Sequence, residues 1–177
     1  MRKYLIKTPG RTGSHIITDF LSYNNKNFIK HEQLYKIPPN PEEWIFVFSK
    51  RKNWFDMACS RVITSYTKQY GPYNLKKKFR VKTDIESLID SAGYTKNWYE
   101  TFEVQSQKYN WQAVYTIYYE DIKENKEKLK ILDNNIEKYN FKQTMISPYE
   151  FKNVIENYDA LKDQFINWQH EIKLLDE

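Results

Sequence analysis

Cysteine is all but missing from this chain. Cys59 is the single one, which excludes an intramolecular disulfide and every multi-cysteine zinc pattern. Histidine is nearly as scarce: His15, His31 and His170 stand far apart, without HExxH spacing, so no metal is expected. No apolar run approaches the ~20 residues that span a bilayer. The apolar stretch Tyr4-Leu5-Ile6 behind the basic start is also too short for a signal peptide. Charge of neither sign dominates, with 28 Lys and Arg against 23 Asp and Glu. The net +5 favours anionic ligands without demanding nucleic acid. These absences lead to the expectation of a soluble, cytoplasmic protein of a reducing compartment with no membrane partner.

Aromatic residues, by contrast, are abundant: 15 Tyr, 10 Phe and 5 Trp make up 17% of the sequence, within a hydrophobic share of 40%. That content excludes a disordered or low-complexity chain. The 177 residues read as one domain over 1–177, large enough to bury roughly 70% of the unfolded surface without a covalent or metal staple. Tyr4-Leu5-Ile6 predicts a short strand, and Ile16, Ile17, Phe20 and Leu21 predict a helix beginning near Ser14. Phe28-Ile29 reads as a second strand ending at His31-Glu32. Pro38, Pro39 and Pro41 enforce a loop before the apolar run Trp44-Ile45-Phe46-Val47-Phe48, which predicts a buried strand. Residues 53–66 and 85–107 read as helices, the second offering Leu88, Ile89, Trp98, Phe102 and Val104 to a core. Residues 113–119 read as another strand, and 124–139 and 149–174 as helices, with Trp98, Trp111 and Trp168 as core aromatics. Strands alternating with helices predict an α/β fold, a three-layer sandwich around a central parallel sheet.

Two of the four glycines, Gly10 and Gly13, fall in Thr8-Pro9-Gly10-Arg11-Thr12-Gly13-Ser14, between the first strand and the first helix. A helix N-terminus presents unpaired N–H groups and partial positive charge, and glycine lets the backbone approach a phosphate. Arg11, Thr12, Ser14 and His15 add side-chain donors. The turn is not a Walker A loop, since no Lys precedes Ser14, which argues against Mg-dependent ATP hydrolysis. A plain turn with a Ser cap is the competing reading. The second basic segment, Lys50-Arg51-Lys52, closes the strand at 44–48, where open α/β sheets bind ligands. Ser60 follows about two helical turns later. A cation and a hydroxyl there suit one phosphate, against the reading of a solvated loop and a surface serine.

Together these segments resemble the sulfotransferases that use 3′-phosphoadenosine 5′-phosphosulfate. Pro9-Gly10-Arg11-Thr12-Gly13-Ser14 is similar to the 5′-phosphosulfate loop of their carbohydrate and bacterial members. The stretch from Lys52 through Asn53, Asp56 and Ala58 to Ser60 is similar to their 3′-phosphate motif, R-N-P-x-D-x-A-x-S, with Lys for Arg and Trp54 for Pro. Tyr119-Glu120-Asp121-Ile122 is similar to the Y-E-D-L after a late strand, and Ile155, Asn157 and Leu161 to an I-x-N-x-x-x-L near the carboxyl end. The order of all four spans nearly the whole chain. The R-K-G-x-x-G loop of many members is absent.

The resemblance implies a P-loop nucleoside triphosphate hydrolase-like fold and a sulfuryl transfer, without metal, from 3′-phosphoadenosine 5′-phosphosulfate to a hydroxyl acceptor, a small molecule or a glycan. Gly10, Arg11, Thr12, Gly13, Ser14 and His15 would hold the 5′ end, with Arg11 also stabilising the transferring group. Arg51, Lys52 and Ser60 would hold the 3′-phosphate. Glu32, with His31 as alternate, would be the general base, against the reading of a solvent-facing polar pair. Glu120 and Asp121 read mainly as structural, pairing with Arg or capping a helix. A nucleotide kinase or NTPase of related fold, and a non-catalytic nucleotide- or nucleic-acid-binding domain, are the alternatives.

Overall fold

The computed structural model describes residues 2–31, 35–68, 79–140 and 150–175. The chain divides into two units, one formed by Met1–Lys52 with Thr95–Met145, the other by Asn53–Tyr94 with Ile146–Glu177.

The first unit is α/β. Among the described residues its four strands are β1 (Lys3–Lys7), β2 (Asn27–His31), β3 (Trp44–Lys50) and β4 (Ala113–Tyr118), in the order β2-β1-β3-β4. Every pairing is parallel, and Lys7 stands in register with His31 on one side and Phe48 on the other. The strands expected near 4–6, 44–48 and 113–119 therefore do run parallel in one sheet. The inner strands are buried from Tyr4 to Lys7 and from Trp44 to Ser49, which a strand covered on both faces requires. The edge strand β4 alternates half-buried and exposed residues as far as Thr116, the period-2 pattern of a sheet with one covered face.

Helices flank the sheet. On one face Tyr4, Ile6, Ile45 and Val47 pack with Ile16, Ile17, Phe20 and Leu21 of α1 (Ser14–Tyr23). On the other face the Phe48 ring meets Tyr99 and Phe102 at 5.3 and 5.1 Å, and Phe46 meets Trp111 at 4.8 Å. Trp98, Tyr99, Phe102 and Gln105 form the buried stripe at helical spacing. They lie on a helix that runs over Ile85–Lys108. Val104, expected in the core, lies off that stripe and is 61% exposed.

Residues 124–139 do not form the single helix expected there. A short helix over Tyr119–Glu124 is followed by a 3-10 turn over Lys126–Ile131 and then by turns. The cause is local: Asn125 Oδ1 accepts from the Glu127 N–H and Asp133 Oδ1 from the Asn135 N–H, both at 2.9 Å. Such side chains offer the backbone an alternative to helix bonding. Leu129, Leu132, Ile136 and Tyr139 still reach the α1 side of the core.

The second unit is helical. Trp54–Thr67 forms α2, whose Asn53 cap accepts from the Asp56 N–H at 2.9 Å. Phe55, Ala58, Cys59 and Ile63 of α2 bury themselves with Leu88, Ala92, Val154, Leu161 and Phe165, and Trp168 packs half-buried against them. The helix expected over 149–174 is broken. A turn of helix over Phe151–Val154 ends where Ile155 forms a parallel bridge with Val81, and helix resumes at Tyr158–Leu175. Val81 N–H donates to Val154 O at 2.8 Å, and Glu156 N–H donates to Val81 O at 3.0 Å. Among the described residues no helix is long and apolar enough to cross a membrane.

Candidate functional site

The strand order reverses at β1: the chain passes from β1 outward to β2 and then back to β3 on the opposite side. Open parallel sheets bind ligands outside the carboxyl ends of their strands at such a reversal. The loops that leave β1 and β3 there are the two segments singled out from sequence.

The loop after β1 has an unusual backbone. Gly10, Arg11 and Gly13 all have positive φ, at 80°, 61° and 82°. For glycine that is free of steric cost, but an L-residue such as Arg11 gives up about 1–2 kcal/mol there. The surroundings hold the shape. Thr8 and Thr12, both buried, share a hydroxyl hydrogen bond of 2.7 Å. Gly10 N–H donates to Thr8 Oγ1 at 3.1 Å, and the buried Ser49 hydroxyl of β3 donates to Thr12 O at 2.5 Å. Gly13 is the N-cap of α1 and brings no side chain to it, so Ser14 is the first helical residue rather than the cap. The helix N-terminus thus opens directly onto the loop, as an anion site requires.

Gly13 is needed for a second reason. A Cβ there would come within 2.5 Å of Tyr119 Cδ2. The same Tyr119 ring lies under the Arg51 guanidinium, 4.3 Å from it. One aromatic ring at the end of β4 therefore touches both the loop after β1 and the loop after β3.

Arg51 and Lys52 are positioned by the two residues that follow Tyr119. Arg51 Nε lies 3.3 Å from Glu120 Oε1. Lys52 N–H donates to Glu120 Oε2 at 2.9 Å, and Lys52 Nζ pairs with Asp121 Oδ1 at 2.5 Å. The hydrogen bond to Asp121 holds the exposed Lys52 ammonium above its usual pKa. Arg51 N–H donates to the Tyr99 hydroxyl at 2.9 Å. Burial raises the pKa of that hydroxyl, so it stays protonated at neutral pH. Glu120 and Asp121 thus pair with the basic loop, the role expected from their place at a strand end.

The sequence reading overlooked Lys7. It ends β1 fully buried, its Nζ donating to Lys36 O at 2.7 Å and lying 5.6 Å from the Phe102 ring centre. Burial lowers its pKa to about 8, and a charged group desolvated at a strand end marks a candidate site. In the sequence Lys7 shows only as a lysine between an apolar strand and a glycine turn, a pattern that reads equally as a solvated strand end.

The remaining candidates are distributed as follows. Arg11 is half-buried and His15 exposed on the first turn of α1. His31 is the last residue of β2, and Glu32 lies outside the described residues. Ser60 belongs to the second unit, buried on α2 at 4% exposure, its carbonyl accepting from Thr64 Oγ1 at 2.8 Å. Among the described residues no group of three or more His, Cys, Asp and Glu could hold a metal ion. No protein-family model, curated protein or solved structure matches this chain.

Proposed function

We propose that this protein binds 3′-phosphoadenosine 5′-phosphosulfate across the strand reversal and transfers its sulfuryl group to a hydroxyl acceptor, in a P-loop-like sulfotransferase fold. The observation that carries the reading is the Gly10–Gly13 loop, held in a strained shape and ending in a helix N-terminus with no capping side chain. Strain that the surroundings over-determine is characteristic of functional loops. The donor's 5′ end fits there, because N–H dipoles and Arg11 bear on the oxygens that gain charge as the sulfur–oxygen bridge breaks. Arg51 and Lys52 supply the cationic partners for the 3′-phosphate.

In this scheme the acceptor oxygen forms a new bond to sulfur while the bond from sulfur to the 5′-phosphate oxygen breaks. The electron pair leaves with the nucleotide phosphate, and the acceptor's proton passes to a base at the end of β2, Glu32 or His31. His31 ends β2 in register with Lys7, the last residue of β1 before the glycine loop, and this supports a base at that strand end. A nucleotide kinase reading finds less support, because the loop has no lysine before Ser14.

The test is calorimetric. Adenosine 3′,5′-bisphosphate should raise the melting temperature without Mg²⁺, and Arg11→Ala should weaken that binding on the order of tenfold, the worth of a charge-assisted contact. Stabilisation by ATP with Mg²⁺ and none by the bisphosphate would overturn the proposal.

A further inference from the structure

The cations at the end of β3 are not waiting for an anion. Arg51 and Lys52 face Glu120 and Asp121, two charges against two, and Glu124 adds a further negative charge near Lys52. A phosphate arriving at this loop gains net attraction only by exchanging with a carboxylate.

The two pairs differ in how readily they exchange. Lys52 and Asp121 have side chains 56% and 30% exposed, and an exposed ion pair is weak in water. The Arg51 and Glu120 side chains are 10% and 22% exposed. Glu120 also accepts the Lys52 backbone N–H, and Arg51 is stacked on Tyr119. Taking away either partner of that pair leaves a poorly hydrated charge behind. Arg51 Nε is buried without a hydrogen bond, so its pairing with Glu120 at 3.3 Å is one of charge rather than of directed bonding.

We infer that Glu120 and Asp121 are specificity-determining residues, which set how strongly the site demands a 3′-phosphate by competing with it for Arg51 and Lys52. This deepens the proposed function and rests on it for the identity of the nucleotide. Lys52 is the exchangeable cation: it leaves Asp121 and turns to phosphate. Arg51 is held more firmly, by the Glu120 charge and by its stacking on Tyr119, so that neutralising Glu120 releases the stronger cation to the phosphate.

The experiment titrates the full chain with adenosine 3′,5′-bisphosphate and with adenosine 5′-phosphate at fixed ionic strength, in wild type, Asp121→Asn and Glu120→Gln. Glu120→Gln keeps an amide oxygen for the Lys52 N–H, and Asp121 lies near the surface, so one variant guards against misfolding of the other. The preference for the bisphosphate over the monophosphate should rise about two- to fivefold in Asp121→Asn and on the order of tenfold in Glu120→Gln. If wild type binds neither nucleotide but the variants bind the bisphosphate, the masking is complete, and it is the proposed function of the wild-type chain that fails. If wild type binds the bisphosphate and both folded variants keep the same preference, the inference is overturned while the proposed function stands. If no form of the chain binds either nucleotide, both fall.

Discussion

Lys7 carries its ammonium where no surface is exposed, and its pKa falls from 10.5 to about 8 because burial disfavours the charge. Below pH 8 the folded and unfolded chains both hold the proton, and the burial cost is felt in full. Between pH 8 and 10 the folded chain releases it while the unfolded chain keeps it, so stability rises with pH. Above pH 10 tyrosines such as Tyr158, raised to about 12 by burial, ionise in the unfolded chain first and reverse the trend. Wild type should therefore gain up to about 3 kcal/mol across that window, a rise that Lys7→Met lacks; urea unfolding at several pH values checks this. The two loop glycines should also separate. At Gly10 an added Cβ meets nothing within 4 Å, so Gly10→Ala bears only the φ strain of about 1–2 kcal/mol. Gly13→Ala adds the overlap with Tyr119, costing about 1–3 kcal/mol more, and thermal melts of the pair should show the gap. The glycine pair was legible in sequence because glycine is so rare here. Lys7 was not, since a lysine ending an apolar run reads as the solvated end of a strand until its register with Phe48 is known.

Strands were the most legible elements. Trp44 to Phe48 is apolar at every position, and only a strand covered on both faces absorbs such a run. Helices were less so where polar side chains compete for the backbone, as Asn125 and Asp133 do. Position 155 was opaque for a different reason: its partner, Val81, is remote in sequence, and local periodicity carries no information about it. Ile155 and Leu161, two of the residues in the carboxyl-end resemblance, are both core positions of the second unit. Asn157 holds a φ of 55°, with its carbonyl accepting from the Leu161 N–H at 3.0 Å as helix resumes. Asn53 has an equally local role, so Asn53→Ala should cost about 1 kcal/mol through the lost cap on α2. Urea unfolding measures it, and restoration by Asn53→Asp would identify the cap as the cause.

At the scale of the whole molecule the net charge is +5, yet the four charged side chains beside the proposed 3′-phosphate position sum to nothing. Long-range steering and local grip are thus separate. Raising salt from 0.1 M to 1 M shortens the screening length from ~10 Å to ~3 Å. It should slow association of adenosine 3′,5′-bisphosphate several-fold while the dissociation rate changes little, as stopped-flow kinetics would register. Neither unit is continuous in sequence, and that has a consequence for synthesis. Phe55, Cys59 and Ile63 leave the ribosome well before Leu161 and Phe165, the side chains that complete their core. The Val81 and Ile155 bridge likewise waits for roughly 75 further residues, about 4 to 15 s of translation at ordinary rates. Throughout that interval the apolar face of α2 is a nascent-chain surface open to chaperones, and the helix over Tyr158–Leu175 is the one that closes it.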